Sequence, residues 1–297
     1  MFVMKIKSII RLLRPEQWTK NVFVFLPLFF NGQILNIDLF LQCVVVFFAF
    51  SAAASSIYCF NDIHDVEADK LHPKKCKRPI ASNEISIKTA YVIMFFCFMV
   101  SMLTIFLLAG NHRYILMALI GFYFIMNIAY CIKLKHYPIV DVMIISIGFV
   151  LRVIVGGTAT DTILSAWIVM MTFLIALFLA FAKRRDDVVM FNNTGVAPRR
   201  NTQRYNIDFL NQVMTVISTV VIIAYIMYTI SPNIIEQFQS KYIYITAFFV
   251  LTGIIRYLQI TIVDEKSGSP TKVLFKDKFI KACVVGWIVS FIIIIYI

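Results

Sequence analysis

The sequence predicts an all-α membrane protein, a polytopic bundle of nine transmembrane helices with an active cavity that faces the cytoplasm. Of its 297 residues, 60% are hydrophobic, and the mean hydropathy is +0.83, whereas soluble domains average about 45–50% apolar residues. Apolar stretches alternate with short polar loops along nearly the whole chain. Neither an internal repeat nor a long polar stretch marks a second domain, so we expect residues 1–297 to form one transmembrane domain.

The first expected element is an interfacial amphipathic helix over residues 1–20. Lysine and arginine side chains surround one apolar helical face, and Trp18 is suited to anchor the helix among lipid headgroups. The apolar face is formed by Ile6, Ile9, Ile10 and Leu13.

Nine apolar segments follow that approach the roughly 20 residues a helix needs to cross a bilayer. The first segment is interrupted by Pro27 and Asn31. The predicted spans are 21–36, 38–60, 88–109, 113–132, 138–160, 163–182, 211–230, 241–262 and 278–297.

The distribution of basic residues sets the expected orientation. With these spans, 24 of the 28 Lys and Arg residues fall in the N-terminal segment and in alternate loops, and only Arg113 and Lys241 fall on the opposite side. Because cytoplasmic loops are enriched in Lys and Arg, we expect a cytoplasmic N-terminus and an external C-terminus. Topology explains most of the net charge of +12, so nucleic acid is not an expected partner.

A carboxylate-rich segment, residues 61–69, directly follows the second span. Asp62, Asp65 and Asp69 are spaced three and four residues apart, which on a helix places them on one face. Three carboxylates on one face are tolerable when a divalent cation lies between them, and Mg²⁺ commonly binds through carboxylates and substrate phosphates. We therefore predict that these three residues are metal ligands and that Asn61 contributes to the metal or diphosphate shell.

Basic residues that include Lys77 and Arg78 come soon afterwards and are suited to hold phosphate oxygens. The alternative interpretation of 61–78 is a solvated loop that is acidic and then basic.

Two ionisable residues fall in the predicted span 138–160, where they are costly unless they have a function. Asp141 lies near the cytoplasmic end, where we expect it to face the active cavity and contribute to substrate binding, and Arg152 lies deeper. Arg152 has two open interpretations, either neutralising an anionic headgroup or pairing with a neighbouring helix. After the sixth span comes a cationic loop with Lys183, Arg184 and, further on, Tyr205, and we expect these residues to contribute to phosphate binding.

Motifs typical of one known family occur in several stretches of the sequence: 13–21, 61–81, 138–141, 148–152 with Gly156 and Gly157, and 183–185. In these stretches the sequence resembles the UbiA superfamily of intramembrane prenyltransferases, and within it the decaprenyl-phosphate phosphoribosyltransferases. At residues 183–187 the chain departs from that pattern, because Arg185, Asp186 and Asp187 stand where an aromatic residue and a single Glu are usual.

The resemblance implies an Mg²⁺-dependent transferase in a bacterial inner (plasma) membrane. Its donor would be phosphoribosyl pyrophosphate (PRPP), its acceptor a polyprenyl phosphate, and its product a lipid-linked sugar for the cell envelope. Lys20, Asn21 and Arg152 would face the acceptor headgroup. The polyprenyl chain length, the downstream pathway and the presence of a homo-oligomer are left open.

The sequence has two alternative functional interpretations. An aromatic prenyltransferase would move an isoprenyl chain onto a quinone or haem precursor with the same Mg²⁺–diphosphate site, but such enzymes usually carry a second Asp-x-x-x-Asp motif. A transporter would have paired broken helices and an internal repeat, and the sequence has no such repeat.

Overall fold

The computed structural model describes residues 2–71, 75–195, 200–265, 273 and 276–296, and all regular secondary structure in these ranges is helical. Seven helical segments are long and apolar enough to cross a membrane, which confirms the all-α, polytopic prediction. They are Ile37–His64, Ile87–Leu108, Gly110–Ile132, Val140–Ala159, Ala166–Thr194, Ile207–Thr229 and Lys241–Ile262.

The predicted count of nine spans is not confirmed in the described residues. Where the first span was expected, the chain forms a 3₁₀ helix, Pro15–Phe25, and then the five-residue helix α2, Leu26–Phe30. Proline occupies the first turn of each piece, where its missing N–H is tolerated, and Gly32 has a positive φ of 70°. Where the ninth span was expected, α12 covers Lys278–Tyr296, 19 residues.

The helices fall into two compact units, the first formed by residues 1–135 and 147–164. Its N-terminal helix α1, Phe2–Leu13, ends well before residue 20. The buried side chain of Leu12 joins a small apolar cluster with Cys59 and Ile80. The longer helices of this unit are α3 (Ile37–His64), α5 (Ile87–Leu108) and α6 (Arg113–Ile132), with the short α4 (Val66–Leu71) after α3.

The second unit is formed by residues 136–146 and 165–297. Helix α8 packs against α9, and α11 packs against α12. Leu210, Met214 and Val221 of α9 are buried in its apolar core. The helices of the second unit are α8 (Ala166–Thr194), α9 (Ile207–Thr229), α10 (Pro232–Phe238), α11 (Thr246–Ile262) and α12. Helix α7 (Val140–Ala159) begins in this unit, and its residues from Ile147 onward belong to the first unit.

Four of the long helices begin directly after a polar residue that caps the first turn. Each side chain accepts a hydrogen bond from a backbone N–H of the first turn, and such an N-cap stabilises a helix by about 1 kcal/mol. The four caps are Asn36, Ser86, Ser165 and Asn206.

Helices α3 and α8 extend beyond their predicted spans, and this corrects two predictions. Helix α3 continues to His64, so Asn61 and Asp62 lie on a helix rather than in a loop. Helix α8 continues to Thr194 and carries Lys183 and Arg184 on its last turns, where a loop was predicted.

Candidate active site

Asp62 lies at the centre of an ion-pair cluster in the first unit. Its side chain is almost completely buried, and its Oδ1 accepts hydrogen bonds from Nη2 of Arg14 at 2.5 Å and from Nη1 of Arg78 at 3.0 Å. The other oxygen, Oδ2, is buried and has no hydrogen-bond partner among the described residues. A buried carboxylate oxygen can only accept, so this atom is suited to bind a cation or a donor from a ligand.

Asp69 is connected to Asp62 through one guanidinium group. Nη1 of Arg78 also contacts Oδ2 of Asp69, at 2.6 Å. Asp69 lies on α4 and is buried. Burial raises the pKa of Asp69 above its ordinary value, although the charges of Arg78 and Lys75 act in the opposite direction.

Asp65 ends α3 and is more exposed than the other two carboxylates. It accepts from Nζ of Lys135 at 2.6 Å and contacts Nδ1 of His64 at 3.1 Å. Burial alone would raise the pKa of Asp65, but the hydrogen bonds from Lys135 and His64 outweigh it and hold the pKa below its ordinary value.

The three aspartates are therefore not gathered on one helical face as their spacing predicted. Asp62 belongs to α3, Asp65 to the turn after it and Asp69 to α4. Within the described ranges, no group of three His, Cys, Asp or Glu side chains is arranged to hold a metal ion. Each carboxylate is instead paired with a cation of the chain, and the unpartnered Oδ2 of Asp62 is the feature that fits a metal.

The other two predicted members of this site have fewer contacts. Oδ1 of Asn61 lies 3.5 Å from the Sγ of Cys131, and Lys77 is exposed at the end of the 3₁₀ helix Lys75–Lys77. Both lie close in sequence to the paired residues, and their proposed roles stay predictions.

Arg152 is a buried cation of the first unit whose described hydrogen-bond partners are neutral. Its Nε donates to Oδ1 of Asn21 at 2.8 Å, Nη1 to the Gly148 carbonyl at 2.6 Å and Nη2 to the Tyr123 hydroxyl at 3.1 Å. The guanidinium carbon also lies 4.7 Å from the ring centroid of Phe50. Tyr123 lies on the neighbouring helix α6, so Arg152 makes the contact that the second of its two interpretations describes. No described carboxylate forms an ion pair with Arg152, and its binding of an anion stays a prediction.

Lys20 adds a second positive charge beside this group. It is partly buried on the 3₁₀ helix Pro15–Phe25. Burial lowers the pKa of Lys20 to about 8, and the charges of Arg152 and Arg14 act in the same direction, while that of Glu16 opposes them. An anion bound beside this lysine would favour the charged form of the side chain.

In the second unit, Asp141 is fully buried between two hydrogen-bond donors. Nε of Arg184 lies 2.5 Å from its Oδ2, and the Tyr205 hydroxyl donates to its Oδ1 at 3.0 Å. Burial raises the pKa of Tyr205 to about 12, so the hydroxyl stays protonated at neutral pH. Arg184 was predicted as a phosphate ligand, and the carboxylate beside it already offsets its charge.

The residues next to Arg184 differ from it in their surroundings. Lys183 is exposed. Arg185 is buried and donates to the Thr261 carbonyl at 2.6 Å and to Oδ1 of Asn211 at 2.7 Å. A cation at the last carbonyls of α11 is favourable because those groups carry a partial negative charge. This contact accounts for Arg185, whose departure from the expected pattern the sequence left unexplained.

Three contributors to these clusters were missed by sequence reasoning. They are Arg14 of the N-terminal segment, Lys135 of a short loop and Tyr123 of the predicted span 113–132. The available signal was the position of Arg14 inside the matching stretch 13–21. Its backbone has a φ of 52°, which ends α1 and begins the 3₁₀ helix that carries Lys20.

A comparison with known families decides the classification. Residues 22–280 match the model of the UbiA prenyltransferase family. The chain belongs to this family. The match spans most of the described helices and includes the carboxylate segment and the cationic end of α8.

Two curated relatives that are similar in sequence to this UbiA chain are both named decaprenyl-phosphate phosphoribosyltransferase. The protein of Corynebacterium glutamicum is 30% identical over 292 residues, covering 98% of this chain and 87% of its own length. The protein of Mycolicibacterium smegmatis is 30% identical over 293 residues, covering 95% and 91%.

Solved UbiA structures share the fold at lower identity. A UbiA homologue from Archaeoglobus fulgidus bound to DMAPP and Mg²⁺ gives a TM-score of 0.71 at 16% identity, covering 98% of this chain and 99% of the homologue. The same homologue bound to GPP and Mg²⁺ gives 0.69. At this identity the likeness establishes the fold.

Proposed function

We propose that this UbiA-family enzyme transfers the 5-phosphoribosyl group from PRPP to a polyprenyl phosphate in the membrane and releases pyrophosphate. The observation that carries the proposal is the similarity, over nearly the full length of both chains, to two curated decaprenyl-phosphate phosphoribosyltransferases. Substrate charge also supports it, because two anionic substrates with several phosphates require cations, and six of the candidate residues are basic. They are Lys20, Lys77, Arg78, Arg152, Lys183 and Arg184.

The reaction balances without a proton transfer. The bond between the sugar C1 and the diphosphate oxygen breaks, its electron pair leaves with pyrophosphate, and an oxygen of the lipid phosphate forms the new bond to C1. The nucleophile is already an anion, so the protein needs no general base and instead has to position two anions.

Asp62, Asp65 and Asp69, with Asn61 beside them, are the residues that we expect to hold Mg²⁺ together with the diphosphate of the donor. When bound, Mg²⁺ offsets the negative charge that develops on the leaving group. The unpartnered Oδ2 of Asp62 supports this assignment. Lys77 and Arg78 are proposed to bind the donor's phosphate oxygens as charge-assisted donors.

The remaining cations are assigned to the other phosphates. Lys20, Asn21 and Arg152 are proposed to bind the acceptor phosphate, since Arg152 is buried without a described carboxylate partner. Lys183 and Arg184 are proposed to bind the 5-phosphate of the donor or the lipid phosphate, with Asp141 and Tyr205 holding the guanidinium of Arg184 in place.

The charge distribution supports an orientation with a cytoplasmic N-terminus and an external C-terminus. We propose that the chain resides in a bacterial inner membrane, where PRPP is available on the cytoplasmic side. The proposal includes one transmembrane domain over residues 1–297 and allows a homo-oligomer.

The direct test supplies purified protein with PRPP labelled in the ribose, Mg²⁺ and a polyprenyl phosphate. Labelled lipid and an equal amount of pyrophosphate are expected. A parallel reaction with a labelled prenyl diphosphate and an aromatic acceptor tests the prenyltransferase alternative, and product in that reaction alone would reject phosphoribosyl transfer. The Asp65→Ala variant should stay folded and lose turnover, and near-normal turnover would reject the metal role of Asp65.

A further inference from the structure

The guanidinium of Arg78 lies between two carboxylates, in a position that would also suit a metal cation. One nitrogen, Nη1, lies 3.0 Å from Oδ1 of Asp62 and 2.6 Å from Oδ2 of Asp69. Both carboxylates are buried, while the arginine side chain keeps 23% of its surface exposed. The guanidinium therefore bridges two buried acids and still has a route to solvent.

Ion pairs already engage every carboxylate around this bridge. Three carboxylates, of Asp62, Asp65 and Asp69, face three cations, and each carboxylate has at least one short ion pair. The cations are Arg14, Arg78 and Lys135. A divalent cation that entered alone would leave two uncompensated positive charges in a half-buried site, which is costly.

From this arrangement we propose that Arg78 is a resident counter-ion: it holds the Asp62–Asp69 pair in the substrate-free enzyme and gives the pair up when a divalent cation enters together with a diphosphate. The inference rests on the proposed metal–diphosphate site and adds the order of events there. The diphosphate offsets the unfavourable positive charge, because it neutralises the entering cation and provides new acceptor oxygens for the displaced guanidinium.

The local structure permits this exchange. The backbone of Arg78 is fixed by hydrogen bonds, since its N–H donates to the Lys75 carbonyl at 2.9 Å and its carbonyl accepts from the Ser82 N–H at 2.8 Å. The next residues, Pro79 and Ile80, are buried. Only the side chain has to move, and its exposure allows a rotamer change without unfolding of the segment.

The exchange predicts that metal and diphosphate bind cooperatively and that Arg78 is the source of the cooperativity. Without Arg78, Asp62 would keep its ion pair with Arg14, and Asp69 would lose its described ion pair and keep only the influence of the Lys75 charge. A cation alone could then neutralise the two acids. Binding of Mn²⁺ can be followed by electron paramagnetic resonance on the full-length protein in lipid nanodiscs, without acceptor lipid and with or without inorganic pyrophosphate.

In the wild-type protein we expect weak Mn²⁺ binding that pyrophosphate strengthens. In Arg78→Gln, Mn²⁺ alone should bind at least about tenfold more tightly than to wild type, a difference of about 1.4 kcal/mol, and pyrophosphate should add less. Lys70→Gln is the matched control. Lys70 follows Asp69, is exposed and pairs with Glu67 at 2.9 Å, so its loss changes the net charge equally without touching the bridge and should leave both affinities as in wild type.

Equal or weaker binding of Mn²⁺ alone by a folded Arg78→Gln would overturn the inference, as would an equal effect in Lys70→Gln. Thermal unfolding checks the fold, and Arg78→Lys provides a second variant that keeps the charge and should retain the dependence on pyrophosphate. Absence of Mn²⁺ binding in every protein, with pyrophosphate present, would reject the metal site and this inference together. Failure of PRPP turnover with the expected Mn²⁺ behaviour would reject only phosphoribosyl transfer.

Discussion

Nε of Arg152 donates a hydrogen bond to Oδ1 of Asn21 at 2.8 Å and joins residues that are 131 positions apart in the chain. One partner lies in an apolar helix and the other on the 3₁₀ helix Pro15–Phe25. The contact places a buried positive charge beside Lys20, and it makes the 3₁₀ helix part of the candidate acceptor site.

Replacement of Arg152 by Met should remove most acceptor binding. The side chain is similar in length and apolar, so packing against Phe50 is retained while the charge is lost. We expect the KM for polyprenyl phosphate to rise by at least about tenfold, consistent with the 1.5–3 kcal/mol of a hydrogen bond to a charged group, with a smaller change in the KM for PRPP. Steady-state kinetics with each substrate varied separately would measure both, and equal effects on the two KM values would contradict an acceptor role.

The pH dependence of acceptor binding should follow Lys20. Because its pKa is lowered to about 8, the free enzyme loses this charge as the pH rises through 8, and the KM for polyprenyl phosphate should rise over that range. Lys20→Arg stays charged there, so its KM should be nearly flat between about pH 7 and 9. A KM profile with the same rise in Lys20→Arg would show that another group controls the pH dependence.

Loss of the Tyr205 hydroxyl should loosen the turn before α7. The Ile139 N–H donates to this hydroxyl at 2.7 Å, and Ile139 has a φ of 69°, which is strained for a β-branched residue. Tyr205→Phe also removes a donor from buried Asp141, so we expect a loss of about 1–3 kcal/mol of stability. Thermal or denaturant unfolding of the purified protein would measure it.

The control for that variant is Tyr137→Phe, which lies on the same segment but is exposed. It should change stability by less than about 0.5 kcal/mol, as is usual for surface substitutions. Equal stabilities of the two variants would mean that the Tyr205 hydroxyl does not hold the turn.

Close packing at Gly156 should make that position intolerant of any side chain. A Cβ there would lie 1.9 Å from the backbone carbonyl oxygen of Val24, and the backbone cannot give way as a flexible side chain could. Gly156→Ala should therefore destabilise by at least about 1–3 kcal/mol, the range for overpacked cores, and displace the 3₁₀ helix that carries Lys20.

Gly121→Ala is the matched control on α6, because a Cβ there would meet no atom within 4 Å. Alanine is favoured over glycine in helices by about 1 kcal/mol, so this variant should be neutral or slightly stabilised. Unfolding temperatures of the two variants and of wild type would test both expectations, and similar losses in both would argue against the contact with Val24.

The sequence by itself determined the class of the protein, most of its long helices and the family, because apolar length, basic-residue placement and contiguous motifs are properties of local sequence. It could also identify Asp62, Asp65 and Asp69 as a group, since three and four residue spacing is local. The prediction that they share one helical face was wrong, because the chain turns at Asp65 and begins a new helix at Val66.

Only the tertiary structure decided which charged side chains form ion pairs with each other. Arg14 reaches Asp62 across 48 positions and Lys135 reaches Asp65 across 70, and no periodicity in the sequence relates such residues. Arg152 and Arg184 are both buried arginines, but the described hydrogen bonds of Arg152 go to neutral groups, whereas Arg184 donates to a carboxylate. These differences arise because ion pairing depends on distance in space and on burial, which are fixed only when distant segments pack together.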